Sequence, residues 1–484
     1  MPRVLLLATT TGYQTRAFGE AAARLGVQLV FATDRCHLIE DPWQDHAIPI
    51  RFHDEDASVA AILEKTAAHP VDGLLVVGDR PTVIGARVAE RLGLPWHPPA
   101  AAAAARHKQI TRERLRDAGL PVPWFFAVPL DSASAQLPRL RSLEDPASYG
   151  EARQSAEGAT AAAPSPQSPV SNPLSYPCVL KPVALSGSRG VMRVDDPESL
   201  AAAFERLQAL MRQPEVRAER NEAHAMALLE GFIPGREYAV EGLMHRGVLY
   251  VLGIFDKPDP LDGPFFEETI YLTPSSAPGQ TQRAIVDGVS AAVRALGLHH
   301  GPIHAECRVN SDGVYVLEVA ARPIGGLCAR ALRLDGVGSR LQFFRGVDGD
   351  AVDRETASDS RPLEEVLLRH ALGDDPAPYR RERAASGVMM IPIPRRGVLR
   401  RVAGIDAARE VPGIEEIHIT AKPDQLLVPL PEGASYLGFV FARAAHAAAV
   451  EHALRDAHAR LVFTIEPELP VVRQGQIHYN RMDG

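Results

Sequence analysis

Short apolar runs alternate with helical stretches in the first hundred residues. The run that begins at Val4 (VLLLA) is followed by a helical stretch to Leu25 and then by a second apolar run, VQLVFAT. The same alternation recurs from Val71 to Val77, which precedes the helical stretch PTVIGARVAERLG. Strands that alternate with helices in this way pack as a parallel sheet covered by helices. We therefore predict an α/β domain over residues 1–100.

The pattern changes to short β-like runs in the last hundred residues. From Gly387 onward the runs VMMIPIP, VLRRV, IEEIHIT, LLVPLP and YLGFVFAR precede the helical stretch AAHAAAVEHALRDAHARL and a last strand, VFTI. Runs of this length rich in β-branched residues are typical of strands. We predict a separate α+β cap over residues 387–484, and a helical and loop connection over 336–386 that contains LEEVLLRHALG.

Two stretches lack the apolar residues needed to build a core. Residues 131–176 are rich in Ala, Ser, Pro and Gln, and a similar polar stretch covers residues 346–361. Such compositions are typical of linkers and surface loops. We predict a low-complexity surface insertion at the first and an exposed loop at the second.

Length and charge limit the class of protein. A chain of 484 residues exceeds what one core usually organises, so we expect two to four domains. The formal net charge is -8 and there is no long basic run, which argues against a nucleic-acid partner. No apolar stretch approaches the length of a membrane span. The four cysteines form no close pair, which fits a reducing compartment, and we expect a cytoplasmic protein. They are Cys36, Cys178, Cys307 and Cys328.

The segment CVLKPVALSGSRGVMRV has the features of a phosphate-binding loop. A strand ends near Lys181, and a loop of small residues follows, with Ser186, Gly187, Ser188 and Gly190. Small residues allow backbone N–H groups to approach phosphate oxygens, and a lysine beside them supplies a positive charge. A glycine-rich hairpin turn without a ligand explains the segment equally well.

A second segment, MALLEGFIPGREYAVEGLM, places two glutamates around a tight turn. Glu230 ends one strand, and Glu237 lies at the start of the next, after Pro234 and Gly235. One carboxylate can accept hydrogen bonds from two neighbouring sugar hydroxyls at once. We give this role to Glu237. Glu230 is expected at the hinge, facing a purine. Two solvated glutamates beside a hairpin are the alternative.

The third segment, GPIHAECRVNSDGVYVLEVAARPIGG, predicts two paired strands around a turn from Asn310 to Gly313. Pairing would bring Glu306 and Glu318 side by side. Magnesium prefers hard oxygen ligands and commonly binds one or two carboxylates together with substrate phosphates. Arg322 follows closely and offers a bidentate fork for a phosphoryl group or a carboxylate. A surface ladder of salt bridges is the alternative.

Taken together and in this order, the three segments resemble the ATP-grasp superfamily, over about residues 2–335. The resemblance implies a Rossmann-like N-terminal domain, a two-part nucleotide-binding fold over 101–335, and ATP with magnesium, or manganese in its place. It also implies a first lysine in a helix before the insertion, and RHKQITRERLRDAGLPVP supplies Lys108. The implied phosphate-side lysines are thus Lys108 and Lys181, and the implied metal ligands are Glu306 and Glu318.

The sequence departs from the family at one place. The last metal motif of the family usually reads Glu-x-Asn, whereas Ala320 stands at its third position here. We expect water and phosphate to complete the metal shell, because magnesium retains several waters. Weakened catalysis is the alternative.

Within the superfamily, GIFDKPDPLDGPFFEETIYLTPS and the β-rich tail look most like the L-amino-acid ligases that make dipeptides. This resemblance implies that Lys257 faces the phosphates or an acyl-phosphate, and that Glu267 or Glu268 lines the acceptor side. His304 is expected to be a packed or hydrogen-bonded residue rather than a catalyst. The chain is also compatible with a homodimer.

The predicted activity is that of a carboxylate–amine ligase. ATP and magnesium would convert a small-molecule carboxylate to an acyl-phosphate, and an amine would displace phosphate to give an amide, with release of ADP and phosphate. One alternative is a carboxylating or formyl-phosphate enzyme of nucleotide biosynthesis. The other is an ATP-binding module without turnover, which Ala320 would favour.

Overall fold

The computed structural model describes five segments of the chain, and their strands form five sheets. The described residues are 1–9, 14–34, 47–130, 174–336 and 360–468. Most of the predicted insertion at 131–176 and of the predicted loop at 346–361 therefore lies outside the described residues. Leu174, near the end of the predicted insertion, is described and buried in a core.

The N-terminal segment forms a parallel sheet flanked by helices, which confirms the predicted α/β fold. The strands are β1 (Arg3–Leu7), β2 (Gln28–Thr33), β3 (Ile48–Pro49) and β4 (Gly73–Val76), and the helices are α1 (Thr15–Leu25), α2 (Glu55–Ala68) and α3 (Thr82–Leu92). The strand order is β3-β2-β1-β4, and every pairing is parallel. Residues 4–7 are fully buried, which explains why the first run is apolar without interruption.

Two consecutive helices lead from this domain to the next sheet, α4 (Pro99–Arg106) and α5 (Lys108–Asp117). His107 separates them, and its side chain accepts a hydrogen bond from the Ile110 amide at 3.3 Å. This cap satisfies one of the free amides of the first turn. Lys108 is therefore the first residue of α5.

The second sheet is antiparallel, with the order β5-β8-β6-β7. Its strands are β5 (Phe125–Pro129), β6 (Cys178–Pro182), β7 (Met192–Val194) and β8 (Met226–Gly231), and the helices after β7 are α6 (Pro197–Met211) and α7 (Pro214–Arg217). Helix α6 begins with a capping box between Asp196 and Ser199 and packs on β6 and β7. Lys181 and Glu230 lie near the ends of adjacent strands.

The third sheet begins with five strands and one long helix. They are β9 (Arg236–His245), β10 (Val248–Asp256), β11 (Ile270–Thr273), α8 (Gly279–Leu296), β12 (Gly301–Asn310) and β13 (Gly313–Ala320). Helix α8 packs on β10, β12 and β13. The turn predicted between Asn310 and Gly313 joins β12 to β13, and Glu306 is paired with Glu318 across the two strands.

A small sheet and one helix connect this part to the C-terminal residues. They are β14 (Arg333–Asp335), β15 (Ser360–Pro362), α9 (Leu363–Ala371) and β16 (Arg380–Arg381). The helix predicted in LEEVLLRHALG is confirmed as α9, which packs against α1 and β4 of the N-terminal domain. The loop predicted over residues 346–361 is wrong at its end, because Ser360 and Arg361 belong to β15.

The C-terminal runs are strands, as predicted, but they do not form a cap with its own sheet alone. The elements are β17 (Ala385–Ile391), β18 (Gly397–Ala403), α10 (Ile405–Arg409), β19 (Ile414–Ile419), β20 (Leu426–Leu427), β21 (Gly438–Ala444), α11 (Ala447–Arg460) and β22 (Val462–Glu466). Only β18, β20 and β22 form a separate small sheet. Strand β17 pairs with β11, so one sheet runs β13-β12-β9-β10-β11-β17-β21-β19.

The largest apolar core joins the N-terminal domain to the eight-stranded sheet, with Leu5 and Ile84 on one side and Ile303 on the other. A second core lies between the C-terminal strands and α11, and a third lies between the four-stranded sheet and α6. Among the described residues, none of the helices is long and apolar enough to cross a membrane.

Candidate active site

A cavity of about 420 Å³ lies between the antiparallel four-stranded sheet, the eight-stranded sheet and the loop after β4. Ten of the predicted site residues line it. They are Lys108, Lys181, Ser186, Gly187, Ser188, Glu230, Glu237, Glu306, Glu318 and Arg322. Gly190 and Lys257 are not among its lining residues. Glu268 lines the cavity and Glu267 does not, which favours Glu268 for the acceptor side.

Glu230 is held by two buried cations. The guanidinium of Arg112, on α5, donates to both of its oxygens at 2.8 and 3.2 Å, and Lys181 Nζ also donates to Glu230. Burial opposes ionisation of Glu230, but Arg112 and Lys181 outweigh it and lower its pKa to about 2. Burial lowers the pKa of Lys181 to about 8, against the effect of Glu230. At neutral pH, therefore, Glu230 is charged and Lys181 is mostly charged.

Glu237 is also bound by two cations, which occupy its two oxygens. Lys257 Nζ donates to Oε1 at 2.7 Å and Arg308 Nε donates to Oε2 at 2.9 Å. Arg308 is buried and also donates to the carbonyl oxygen of Ile233 at 2.8 Å. A ribose that binds to Glu237 would therefore meet a carboxylate whose orientation is already fixed.

Lys257 lies beneath the cavity wall rather than on its surface. Its ammonium group donates to Glu237, to Glu268 at 2.5 Å and to Glu306 at 3.1 Å. Burial opposes its charge, but these carboxylates outweigh burial and raise the pKa of Lys257 well above its usual value. The pKa of Glu268 is raised to about 7, by burial first and by the neighbouring charge of Glu306 second. The lysine thus offsets part of the negative charge of three carboxylates that lie close together.

The predicted metal ligands face each other across β12 and β13. The side chains of Glu306 and Glu318 are 23% and 31% exposed, respectively, and both line the cavity. Lys108 Nζ lies 3.4 Å from Glu318 Oε2 and 2.5 Å from the carbonyl oxygen of Leu185. Two accessible carboxylates on paired positions are a donor set that fits magnesium, which takes its remaining ligands from water and phosphate. Ala320 is buried and adds no donor.

His304 links Glu306 to a fully buried carboxylate. Its Nδ1 lies 3.1 Å from Glu241 and its Nε2 lies 3.6 Å from Glu306. Burial lowers the pKa of His304, but its hydrogen bond to Glu241 and the nearby charges of Glu241 and Glu306 outweigh burial and raise it to about 9. Glu241 also accepts a hydrogen bond from the Ile324 amide at 3.1 Å. His304 is hydrogen-bonded, as expected, and it also lines the cavity.

Arg322 connects the cavity to the N-terminal domain. Its Nε and Nη2 donate to the two oxygens of Asp79 at 2.8 and 2.9 Å. Burial opposes ionisation of Asp79, but Arg322 outweighs it and lowers the pKa of this carboxyl. Asp79 lies in the loop that follows β4, the end of a parallel strand where ligands commonly bind. The fork predicted for a substrate group is thus occupied by Asp79 in this structure.

The loop after Lys181 is built from residues with left-handed backbone. The φ angles of Gly187, Ser188 and Gly190 are 67°, 55° and 75°. A Cβ at Gly190 would lie 3.0 Å from a methyl carbon of Leu210, so only glycine fits there without a shift. The Gly190 amide donates to the carbonyl oxygen of Pro431 at 2.8 Å, and Arg189 donates to that of Glu432 at 2.8 Å. The loop is therefore attached to the C-terminal part of the chain.

Aromatic and apolar side chains form the rest of the cavity wall. Phe232 and Phe266 stack with ring centroids 6.4 Å apart. Tyr271, Tyr436 and Phe439 line the cavity as well, the last two from the C-terminal strands and their loops. The cavity thus combines this apolar surface with the many charged groups described above.

Arg112 and Arg308 are the main charged residues near the cavity that sequence reasoning did not single out. Arg308 lies two residues after Glu306 and four residues after His304 on β12. Alternate side chains of a strand point to the same face, so all three residues lie on one face. The sequence alone could therefore have indicated Arg308 as a residue of the site. Arg112 lies four residues after Lys108 on α5, but the partner that makes it important, Glu230, is 118 residues away.

Three sequence models of known domains match this chain. The ATP-grasp N-terminal domain matches residues 19–96, the ATP-grasp domain matches residues 174–331, and the L-amino acid ligase C-terminal domain 2 matches residues 389–466. The order of these matches follows the order of the segments described above.

Individual proteins agree with the domain matches. An uncharacterized protein, y4rH, of Sinorhizobium fredii (strain NBRC 101917 / NGR234) is 23% identical over 96% of this chain and 84% of that protein. The alanine–anticapsin ligase of Bacillus subtilis is 26% identical over 58% of this chain. The matched region spans about half (54%) of that ligase. The solved structure of an L-amino acid ligase from Bacillus licheniformis has a TM-score of 0.71, with 24% identity over 96% of this chain and 99% of that one. This likeness shows a shared fold.

Proposed function

We propose that this chain, a member of the ATP-grasp superfamily, is a ligase that uses ATP and magnesium to join a carboxylate to an amine. The products would be an amide, ADP and phosphate. By analogy with the alanine–anticapsin ligase and the L-amino acid ligase that it resembles, both substrates would be amino acids. We also propose that it acts in the cytoplasm, since the three cysteines among the described residues are free thiols.

One observation carries the proposal. A single cavity is lined by two lysines, by a pair of facing carboxylates, and by residues of the region that matches an L-amino acid ligase domain. The lysines are Lys108 and Lys181, and the carboxylates are Glu306 and Glu318. Such a set provides for an anionic phosphate chain and a cation at one place, beside an apolar wall for a second molecule.

Glu306 and Glu318 would hold the magnesium ion. When bound, the ion supplies positive charge that lowers the repulsion between phosphate oxygens and a carboxylate. Lys108 contacts Glu318 and Lys181 contacts Glu230, so each lysine is already oriented by a carboxylate before a nucleotide binds. This preorganisation reduces the cost of positioning charged groups during the reaction.

The reaction that we propose has two steps. A carboxylate oxygen of the first substrate attacks the γ-phosphorus of ATP, the bond from phosphorus to the β–γ bridging oxygen breaks, and ADP forms. The nitrogen of the second substrate then attacks the acyl carbon, the bond from this carbon to the phosphate oxygen breaks, and the phosphate leaves with a proton from the amine. Phosphoryl transfer of this kind depends on positioning and charge neutralisation rather than on a nucleophile of the enzyme.

Exclusion of water is the second task of the site, because an acyl-phosphate hydrolyses. The loop that contains Gly187 and Ser188 lines the cavity, and its end is attached to Pro431 and Glu432. Tyr436, a few residues further on, lines the same cavity. We infer that the loop and the C-terminal segment close the site together.

The proposal is tested by measuring phosphate and ADP release with magnesium across a panel of amino acids, singly and in pairs, with mass spectrometry of the products. We expect release that requires two amino acids and a product whose mass is their sum minus water. Lys181→Met should abolish turnover, while Lys422→Met, at an exposed position, should leave it unchanged. Release with bicarbonate or formate and no amino acids would support the carboxylating or formyl-phosphate alternative instead. ATP binding without ADP release under all conditions would contradict the proposal and favour a binding module.

A further inference from the structure

Three histidines from separate parts of the chain meet outside the cavity. His245 is the last residue of β9, His300 directly precedes β12, and His370 lies on α9. None of them lines the cavity that carries the proposed ligase activity. His300 is 6% exposed and His370 is 2% exposed, whereas His245 is partly exposed.

The ring nitrogens of the three histidines converge. His245 Nδ1 lies 3.1 Å from His370 Nε2. The ring centroids of His300 and His370 are 4.4 Å apart, and that of His245 lies 5.1 Å from the first and 5.3 Å from the second. Each histidine offers one nitrogen, and these nitrogens all lie within 4.8 Å of one another.

We propose that His245, His300 and His370 form a binding site for one divalent transition-metal ion of the zinc class, separate from the ligase cavity. Imidazole nitrogen is a preferred ligand for zinc, and three histidines with an open fourth position are a known ligand set. Tetrahedral coordination with zinc–nitrogen bonds of 2.0–2.1 Å requires nitrogens about 3.3 Å apart. The pair His245 and His370 is close to that separation, at 3.1 Å. The ring of His300 is stacked on that of His370 with 17° between their planes, so it must turn out of this stack to bring the third nitrogen to the ion.

The chemical state of the three rings suits a metal. Burial lowers the pKa of His300 to about 4 and that of His370 to about 3, and burial also lowers the pKa of His245. The imidazoles are therefore neutral at pH 7, which is the form that binds metals. Asp375 opposes the effect of burial on His245, and Arg246 adds to it.

The short contact between His245 and His370 has a second explanation. One neutral imidazole can donate its N–H to the lone pair of the other, and the cluster would then be a hydrogen-bonded group without a ligand. A metal requires a lone pair from both nitrogens, which is reached by a change of tautomer and no change of charge. The partly exposed His245 leaves one side of the cluster open for entry of an ion and for water as a fourth ligand.

A metal at this position would connect parts of the chain that are far apart in sequence. Helix α9 packs against α1 and β4 of the N-terminal domain, while β9 and β12 are central strands of the eight-stranded sheet. The fit of α9 on β4 is tight, since a Cβ at Gly73 would lie 2.4 Å from the carbonyl oxygen of Ala371. The expected role of the ion is thus to stabilise the joint between the two domains.

The test uses the full chain after treatment with a chelator, in buffer with saturating Mg²⁺ so that the carboxylates of the cavity are occupied. Co²⁺ is the probe, because tetrahedral Co²⁺ absorbs strongly in the visible range. We expect one Co²⁺ per chain, displacement by Zn²⁺, and a rise in melting temperature with Zn²⁺. His245→Gln should weaken binding at least about 100-fold and remove the rise in melting temperature. His452→Gln, at an exposed position on α11, and Glu318→Gln should bind Co²⁺ as the wild type does.

Equal Co²⁺ binding by wild type and His245→Gln, or no binding by wild type, would overturn the proposal. X-ray absorption of the zinc-loaded wild type gives a check that does not depend on a variant. Scattering from three imidazole rings is expected, and its absence would also overturn the site. The outcome is independent of the ligase proposal, because amide formation is measured separately and His245 has no role in it.

Discussion

The buried charge cluster of Arg112, Lys181 and Glu230 makes Arg112 a critical residue for stability, and Arg112→Met is the substitution that tests this. Arg112 is fully buried, and its guanidinium forms two hydrogen bonds to Glu230, at 2.8 and 3.2 Å. It also donates to the carbonyl oxygens of Val316 and Leu317 at 3.2 and 2.9 Å. Methionine fills much of the same volume but offers no donor. The substitution therefore leaves Glu230 with only Lys181, and it leaves two carbonyl groups without this partner.

The expected loss is large because the remaining carboxylate is buried. Removing one partner of a buried ion pair costs about 3–5 kcal/mol in the free energy of unfolding. Here the cost comes from the lost hydrogen bonds to Glu230 and to the two carbonyl groups, because Lys181 still balances the charge of Glu230. Glu230→Gln in the Arg112→Met background leaves the buried ammonium group of Lys181 without its counter-charge. The double variant should therefore recover none of the loss.

Urea unfolding at pH 7, followed by tryptophan fluorescence, measures the effect, provided that the slope with urea is unchanged. Arg116→Met on the same helix is the matched control. Arg116 pairs with Asp117 at the surface, so its loss should change the free energy of unfolding by less than about 0.5 kcal/mol. A loss below about 1 kcal/mol for Arg112→Met would refute the reasoning that the cluster depends on this arginine.

Four further predictions address the site and its surroundings. Glu318→Gln should reduce magnesium-dependent ADP release at least about 100-fold with an unchanged melting temperature, and full activity would remove Glu318 from the metal ligands. Lys181→Arg should raise the KM for ATP by about tenfold or more, because a rigid fork cannot replace a point charge in this buried position; an unchanged KM would contradict the assignment. Glu432→Ala removes the ion pair between the C-terminal segment and Arg206 on α6, so phosphate release without amide formation should rise severalfold in coupled assays, while a constant ratio of phosphate to amide would argue against closure of the site by the C-terminal segment. Burial lowers the pKa of His97 to about 4, so the unfolded chain binds more protons than the folded chain between pH 6.5 and 4. The free energy of unfolding should therefore fall by up to about 3 kcal/mol as the pH is lowered across that range. His97→Gln should reduce this fall, and an identical pH profile for the variant would contradict the reasoning.

Much of the fold follows from local patterns in the sequence. The uninterrupted apolar runs at β1 and β4 indicate strands buried on both faces, and α1, which follows β1, has clear amphipathic spacing. The pairing of Glu306 with Glu318 follows only in part, because the register of the turn would place Glu306 opposite Leu317 and a β-bulge between Glu306 and Cys307 shifts it by one residue. The strands and the turn need only neighbours in sequence, so periodicity and turn residues are sufficient to predict them, whereas the bulge is not predicted in this way.

The ion pairs of the site could not be predicted in the same way. Arg322 was expected to face a substrate, yet its partner Asp79 comes from a loop 243 residues earlier. Lys257 was expected to face phosphates, yet it donates to Glu237, Glu268 and Glu306 below the cavity surface. Each of these contacts depends on how two sheets pack, and composition or periodicity carries no information on that packing.

The C-terminal segment shows how a correct local prediction can give an incomplete account of function. Its strands were predicted from their pattern, and a separate α+β cap was expected. Because β17 pairs with β11 in the eight-stranded sheet, the segment is instead continuous with the strands that carry Glu237 and Glu306. Tyr436 and Phe439 thereby reach the cavity from a region that matches an L-amino acid ligase domain. The wall that would select a substrate and the site that would bind ATP therefore share one framework, so substitutions in this wall should change substrate preference while ATP turnover and amide formation stay coupled.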